Sequence, residues 1–377
     1  MLGTFLDVFR LRQYFDAATR AREFAGDVLE DLGFLDLARR ALIRLPTDRL
    51  EVAHPDPFGA FEPMPIPELE RHRVALAATG GSGALAAVVG AGRALEECGI
   101  TPAVLSMCSG SALFGFPLGA GVPAAEVAEF VLALEPEDYV DVDWGALARL
   151  GPRLARGFAG IVCGERLEST YRAWLGDRTL GTLAIPTYAP VWNIERNRLE
   201  YLGPRTHPDM TIARAVRMAV SLPLFFEPVR MDGGSWCDGG IVDIFPVVPL
   251  LDIEEPCGVV LALNCFYPPE FAGEDATGWE RHAGSILYVA SQVRTCQQVE
   301  LARQNLGRLR RHSDVVLVHP VPYEKVQGLG FYRQFLDTSE WPDFMRDART
   351  ACRDALRARA ADVRELGPGF AAADSSE

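Results

Sequence analysis

Two stretches of the chain break in the same way, and they constrain the fold more than anything else in it. Val74-Ala-Leu-Ala-Ala-Thr-Gly-Gly-Ser-Gly83 runs from apolar into small residues and is followed by a helical pattern that ends at Gly99. Ala103-Val-Leu-Ser-Met-Cys-Ser-Gly-Ser-Ala-Leu-Phe-Gly115 repeats that order. Each is a buried strand, a tight turn and a helix start. Two such strands joined by a helical crossover pair in parallel, since antiparallel neighbours need only a hairpin. A parallel sheet buries both faces under helices, so the chain is predicted to be α/β with a central, mostly parallel sheet. Gly99 stands where a helix C-cap glycine belongs.

At 377 residues the chain is long enough for a large core. It has 51 acidic and 37 basic residues, a formal net charge of -14. That charge argues against nucleic acid and against electrostatic docking on anionic lipid. Hydrophobic contact with a membrane stays open, because it needs no charge. The eight cysteines form no Cys-x-x-Cys pair, and no histidine cluster has zinc spacing. The reading is reduced thiols in a cytoplasmic protein, peripheral on membrane at most, with no cofactor. The N-terminus lacks the basic-then-apolar order of a signal peptide. No apolar run reaches the ~18 residues of a transmembrane helix.

Residues 4–45 carry apolar residues at three- and four-residue steps and read as helical, either packed on the main domain or lying on lipid. Residues 46–72 hold six prolines and read as a surface loop. A mainly helical pattern follows over 123–175, including Leu147, Leu150 and Leu154. Two strands are predicted within 183–202, and a helix over Thr211–Ser221 capped by Asp209 or Thr211. A hairpin is expected to turn at Asp232-Gly-Gly, with strands at Val259–Asn264 and Val315–Val318 further on. A long helix over Ser285–Leu309 is expected to face Ile286, Val289, Val293 and Cys296 inward. The helix over Pro342–Leu366 is expected to put its arginines in solvent, and the tail after Gly367 to be disordered.

The chemistry suggested by the second turn is acyl transfer. A strand–turn–helix with a hydroxyl at its apex exposes a nucleophile, and Ser109 occupies that apex. The Gly110 N–H, immediately after it, is a candidate oxyanion donor at a helix N-terminus. Gly80, Gly81, Ser82 and Gly83 are the other candidates, since glycine lets backbone approach a ligand closely. The same loop suits a phosphate, but the dinucleotide fingerprint and the Walker lysine are absent. None of the six histidines sits beside a glycine turn, so the candidate base is Asp238, followed by Gly239 and Gly240. A rival register makes Cys108 the nucleophile.

With these residues in hand, the chain resembles patatin-like phospholipases. The resemblance rests on Thr79-Gly-Gly-Ser-Gly, the helix Ala84–Cys98, Met107-Cys-Ser-Gly-Ser111, Ala213 to Pro228, and Asp238-Gly-Gly-Ile-Val-Asp-Ile-Phe-Pro-Val247, in family order. It implies a three-layer α/β/α architecture with N-terminal and C-terminal helical extensions. The implied divisions are 1–72, a helical extension and proline-rich loop; 73–322, the catalytic domain; and 323–377, a helical extension and tail. It also implies a Ser109–Asp238 dyad, a lipid or other acyl-ester substrate, and an acyl-enzyme. The sequence departs from the family's pattern at Met107 and Ser111, which replace the elbow glycines, and at Ala84, Leu85 and Ile244. Those departures give the alternative of a weak or inactive member that binds lipid or a partner. Phe114, Phe116, Phe225, Phe226 and Trp236 are candidates for an acyl groove.

Overall fold

A computed structural model describes residues 56–81, 84–141, 160–268, 286–326, 334 and 338–366. The expected helices of 4–45, the apolar pattern at Leu147, Leu150 and Leu154, and the tail after Gly367 lie outside the described residues.

The strands are β1 (Val74–Ala78), β2 (Val104–Met107), β3 (Gly160–Val162), β4 (Thr187–Asn193), β5 (Arg198–Leu202), β6 (Leu224–Phe226), β7 (Val229–Met231), β8 (Gly234–Asp238), β9 (Val259–Leu263) and β10 (Asp314–Val318). The central sheet runs β10-β9-β1-β2-β4-β8-β7, with β5 also paired to β4. Strands β10, β9, β1, β2 and β4 are parallel; β5, β7 and β8 are antiparallel. A separate parallel pair joins β3 to β6. The predicted α/β class with a mostly parallel sheet is therefore what the chain adopts, with an antiparallel edge.

The main helices are α1 (Ala84–Glu97), α2 (Gly110–Gly119), α3 (Ala124–Ala133), α4 (Glu165–Leu175), α5 (Ile212–Ala219), α6 (Ile286–Leu309) and α7 (Trp341–Leu366). The pleat sorts the strand side chains to two cores. Val74, Leu76, Leu105, Met107, Leu261 and Leu263 share one core with residues of α1, α2, α5 and α7. Ala75, Ala77, Val104, Val260 and Ala262 share the other with Ala302, Leu306 and Leu309 of α6. Every residue of β1 and β9 is buried, as a strand covered on both faces must be. Nine of the ten residues of helix α2 are buried.

Local signals hold where the chemistry is specific. Gly99 adopts φ 70° after α1, Thr211 caps α5 by accepting the Arg214 N–H, and Asp232 and Gly233 turn the β7–β8 hairpin at φ 49° and 72°. Two expectations fail. Cys296 is exposed; the described buried apolar positions of α6 come later, at Ala302, Leu306 and Leu309. The arginines of α7 are not all in solvent either. Arg349 Nε lies 2.8 Å and Arg353 Nη1 3.1 Å from Glu97 Oε2, and Arg93 Nε lies 3.2 Å from Glu97 Oε1. Glu97 is 1% exposed at the end of α1, and a buried carboxylate requires such partners. Gly90 lets the two helices approach, since a Cβ there would stand 2.8 Å from Ala348 Cβ.

Candidate active site

The turn after β2 is strained at Ser109. Its φ of 48° and ψ of -119° lie outside the regions an L-residue prefers. Such a conformation persists only where its surroundings enforce it, and it lifts the side chain clear of the strand it follows. The enforcing contacts are specific. Ser111 Oγ accepts the Cys108 N–H at 2.8 Å and donates to the Cys108 carbonyl at 2.9 Å. Ser111 therefore staples the turn from inside, where the family pattern has a glycine. Met107, the other departure, is accommodated one helical turn later. A Cβ on Gly115 would come within 2.5 Å of Met107 Cγ, so the missing side chain at 115 makes the room that the first elbow glycine usually provides.

Asp238 ends β8 and is 1% exposed. Its Oδ1 accepts the Gly240 N–H at 2.7 Å, and its own N–H donates to the Ser221 carbonyl at 3.0 Å. Leu105 and Ser106 of β2 pair with Thr187 and Tyr188 of β4, and Val191 of β4 pairs with Asp238, so β4 stands between the strand that leads to Ser109 and the strand that ends at Asp238. Cys108 closes the gap from the other side. A Cβ on Gly240 would lie 2.8 Å from Cys108 Sγ and 3.0 Å from Asp238 Oδ1. Cys108 is fully buried, and burial, together with the Asp238 and Asp243 carboxylates, pushes its thiol well above the ordinary range. A thiol held protonated in the core is a poor nucleophile, which favours the Ser109 register.

The glycine loop divides. Gly80 N–H is committed to the Ile244 carbonyl at 3.3 Å, so it is not a free oxyanion donor as the sequence suggested. Its contribution is steric, since a Cβ at 80 would press within 3.0 Å of Ser109 Cβ. Gly81 adopts φ 121°, packs against Phe266 and borders the same cavity as Ser109 and Gly110. Ser82 and Gly83 lie outside the described residues. Gly110 is the first residue of α2, where a helix offers its N–H no acceptor of its own.

Ser109 borders a narrow cavity of about 40 Å³ with an almost wholly apolar wall. Of the expected groove residues, Phe114, Phe225 and Phe226 line it. Phe116 and Trp236 do not: both are buried core residues, and Trp236 Nε1 donates to the Met231 carbonyl. The sequence reading missed Leu113, Leu134, Tyr139, Leu167, Tyr171 and Trp341. Tyr171 stands edge-on to both members of a stacked Phe130–Trp174 pair, which stiffens that wall. Its hydroxyl donates to the Leu113 carbonyl at 2.9 Å.

A polar cluster braces the segment after Asp238. The Asp243 carboxylate accepts Tyr201 Oη–H at 2.5 Å and Asn305 Nδ2–H at 2.9 Å. Burial holds the Asp243 carboxyl above its ordinary range. Gln298 Nε2 of α6 donates to the Gly240 carbonyl at 2.7 Å. Among the described residues no three His, Cys, Asp or Glu side chains form a metal site, and no helix is long and apolar enough to cross a membrane.

No curated protein matches the sequence. Among solved structures, VipD from Legionella pneumophila aligns at 14% identity, over 85% of this chain and 73% of its own, with a TM-score of 0.43. The type III effector protein ExoU aligns at 14% identity, over 79% of this chain and 54% of its own, with a TM-score of 0.36. Full-length ExoU of Pseudomonas aeruginosa, in complex with SpcU, gives 14%, 79%, 53% and 0.33 for the same four measures. The chain thus spans about half the length of ExoU. The family model described as patatin-like phospholipase matches residues 76–251, the segment that holds β1, the Ser109 turn and Asp238. On that match, residues 76–251 are a patatin-like phospholipase domain.

Proposed function

We propose that the chain is a lipid acyl hydrolase working through a Ser109–Asp238 dyad. The observation that carries this reading is the strained Ser109 turn, stapled by Ser111 and bordering an apolar cavity. Ser109 Oγ attacks the ester carbonyl while its proton passes to the Asp238 carboxylate. The developing oxyanion sits at the N-terminus of α2, where Gly110 N–H and the helix dipole favour negative charge, with Gly81 bordering the same cavity. Collapse expels the alcohol, which takes the proton from Asp238, and leaves the acyl group on Ser109. Water, deprotonated by Asp238, then releases the fatty acid and restores the serine. The cavity holds the acyl chain, so the substrate is an acyl ester of a lipid, met at a membrane surface, and the chemistry needs no cofactor. The catalytic unit is 73–322 with its flanking helices, and the site of action is the cytoplasm.

The alternative of an inactive binding module rested on the altered loop, with Met107 as a further departure. Gly115 leaves the room that the Met107 side chain takes at the elbow, which supports the hydrolase reading. Release of fatty acid from phospholipid vesicles tests the proposal. Wild type should hydrolyse, and Ser109→Ala should fall by at least about a thousandfold; equal rates in the two would overturn it.

A further inference from the structure

Two residues of α6 break its apolar stripe. Ala302, Leu306 and Leu309 are buried in the core that α6 shares with the sheet. Gln298 and Asn305 fall on the same helical face, the five residues standing at i, i+4, i+7, i+8 and i+11. An apolar side chain would fill either place, whereas an amide there needs partners. Both amides find them in the turn after Asp238. Gln298 Nε2 donates to the Gly240 carbonyl at 2.7 Å. Asn305 Nδ2 donates to Asp243 Oδ1 and to the Phe245 carbonyl, each at 2.9 Å. The direction of the Gln298 amide is set from behind, because its Oε1 accepts the Tyr267 hydroxyl at 3.0 Å. Tyr267 is held in turn by its own N–H, which donates to Asn264 Oδ1 at 3.0 Å.

Gly240 matters because its N–H is the donor on Asp238 Oδ1, at 2.7 Å. No side chain could hold it in place, since a Cβ there would stand 2.8 Å from Cys108 Sγ and 3.0 Å from Asp238 Oδ1. Its carbonyl is the handle that remains, and Gln298 takes it. We propose that Gln298 is a positioning residue for the Asp238 base: by holding Gly240 it fixes the N–H that orients the carboxylate, and Tyr267 sets the direction of the Gln298 amide. This rests on the Ser109–Asp238 dyad proposed above. Asn305 anchors the far end of the same turn, where the Asp243 N–H returns to the Gly239 carbonyl at 2.9 Å. A base that leaves its working direction lowers turnover and leaves substrate affinity alone. One neutral hydrogen bond corresponds to roughly a tenfold effect.

The test is the rate of Ser109 labelling by a fluorophosphonate, with kcat and KM for p-nitrophenyl butyrate, on the full-length protein. The variants are Gln298→Met, Asp238→Asn and the two combined. Gln298→Met keeps the length of the side chain and removes the donor. Folded by circular dichroism, it should lose about tenfold in kcat with KM unchanged, and label about tenfold more slowly. In the Asp238→Asn background the same change should alter labelling by less than about twofold, because the group that it positions is gone. A glutamine that only stabilised the fold would lower the unfolding midpoint and leave the labelling rate of folded protein unchanged. Labelling within about twofold of wild type in folded Gln298→Met, or an equal loss with and without Asp238, overturns the inference while slow labelling of Asp238→Asn leaves the dyad standing. An unchanged rate in Asp238→Asn overturns both. Tyr267→Phe frees the Gln298 amide to turn and should reproduce part of the loss, about threefold. If Gln298→Met does not fold, Tyr267→Phe decides on the same readouts.

Discussion

Met107 and Gly115 behave as one unit at the Ser109 turn. Close packing of strand against helix leaves room for one side chain, and this sequence puts it on the strand. Gly115→Ala would set a methyl 2.5 Å from Met107 Cγ. Overpacking of that kind costs about 1–3 kcal/mol, and it would bear on the backbone that orients Ser109. Urea unfolding should show that loss. Adding Met107→Ala should cost less than the sum of the two single changes, because the two side chains compete for one space. Strict additivity would count against the pairing. Ser111 makes the same point with hydrogen bonds: a residue that looks like a lost glycine is the one that pins the turn. Neither compensation was legible in the sequence, since both depend on which atoms meet across the elbow.

Among the elements, α7 does more than its sequence pattern suggests. Its arginines read as a solvent face, but Arg349 and Arg353 turn inward to Glu97 on α1, and its first residue, Trp341, lines the cavity beside Ser109. The helix therefore couples the cavity wall to α1. Glu97→Gln keeps the shape and removes the buried charge that three guanidinium groups share, leaving Arg349 and Arg353 with the exposed Glu62 and Arg93 with Glu96. Breaking a buried pair by neutralising one side costs about 3–5 kcal/mol in full burial; with Arg349 and Arg353 13% and 17% exposed, about 2–3 kcal/mol is expected. Thermal or urea unfolding checks it, and a change below about 0.5 kcal/mol would mean that apolar packing alone holds α7. Periodicity finds a helix such as α7 because burial repeats every three to four residues. It does not find charges that are buried in pairs, because they resemble charges in water. Cys296 was misread for the related reason that a small apolar residue fits either face of α6.

At the scale of the whole molecule, the sequence was most informative where chain geometry leaves few options. Parallel pairing of β1 and β2, the Ser109 apex, the Thr211 cap and the Asp232 hairpin all follow from local chemistry, and the structure has each of them. The cavity was only half legible. Phe114, Phe225 and Phe226 lie near the motifs in sequence and were found, whereas Leu134, Tyr171 and Trp341 come from separate segments that only the tertiary fold brings together. Gly80 was read as a donor because glycine-rich loops bare their N–H groups, and the fold spends that one on Ile244. What remains is whether the assembled site reacts. The most direct measurement is labelling of the folded protein by a fluorophosphonate, located by peptide mass spectrometry, in wild type, Ser109→Ala, Cys108→Ala and Asp238→Asn. The account predicts label on Ser109 that disappears in Ser109→Ala, persists in Cys108→Ala and falls at least about a hundredfold in rate in Asp238→Asn. Folded wild type that takes no label on Ser109, or takes it at an unchanged rate in Asp238→Asn, would contradict the dyad.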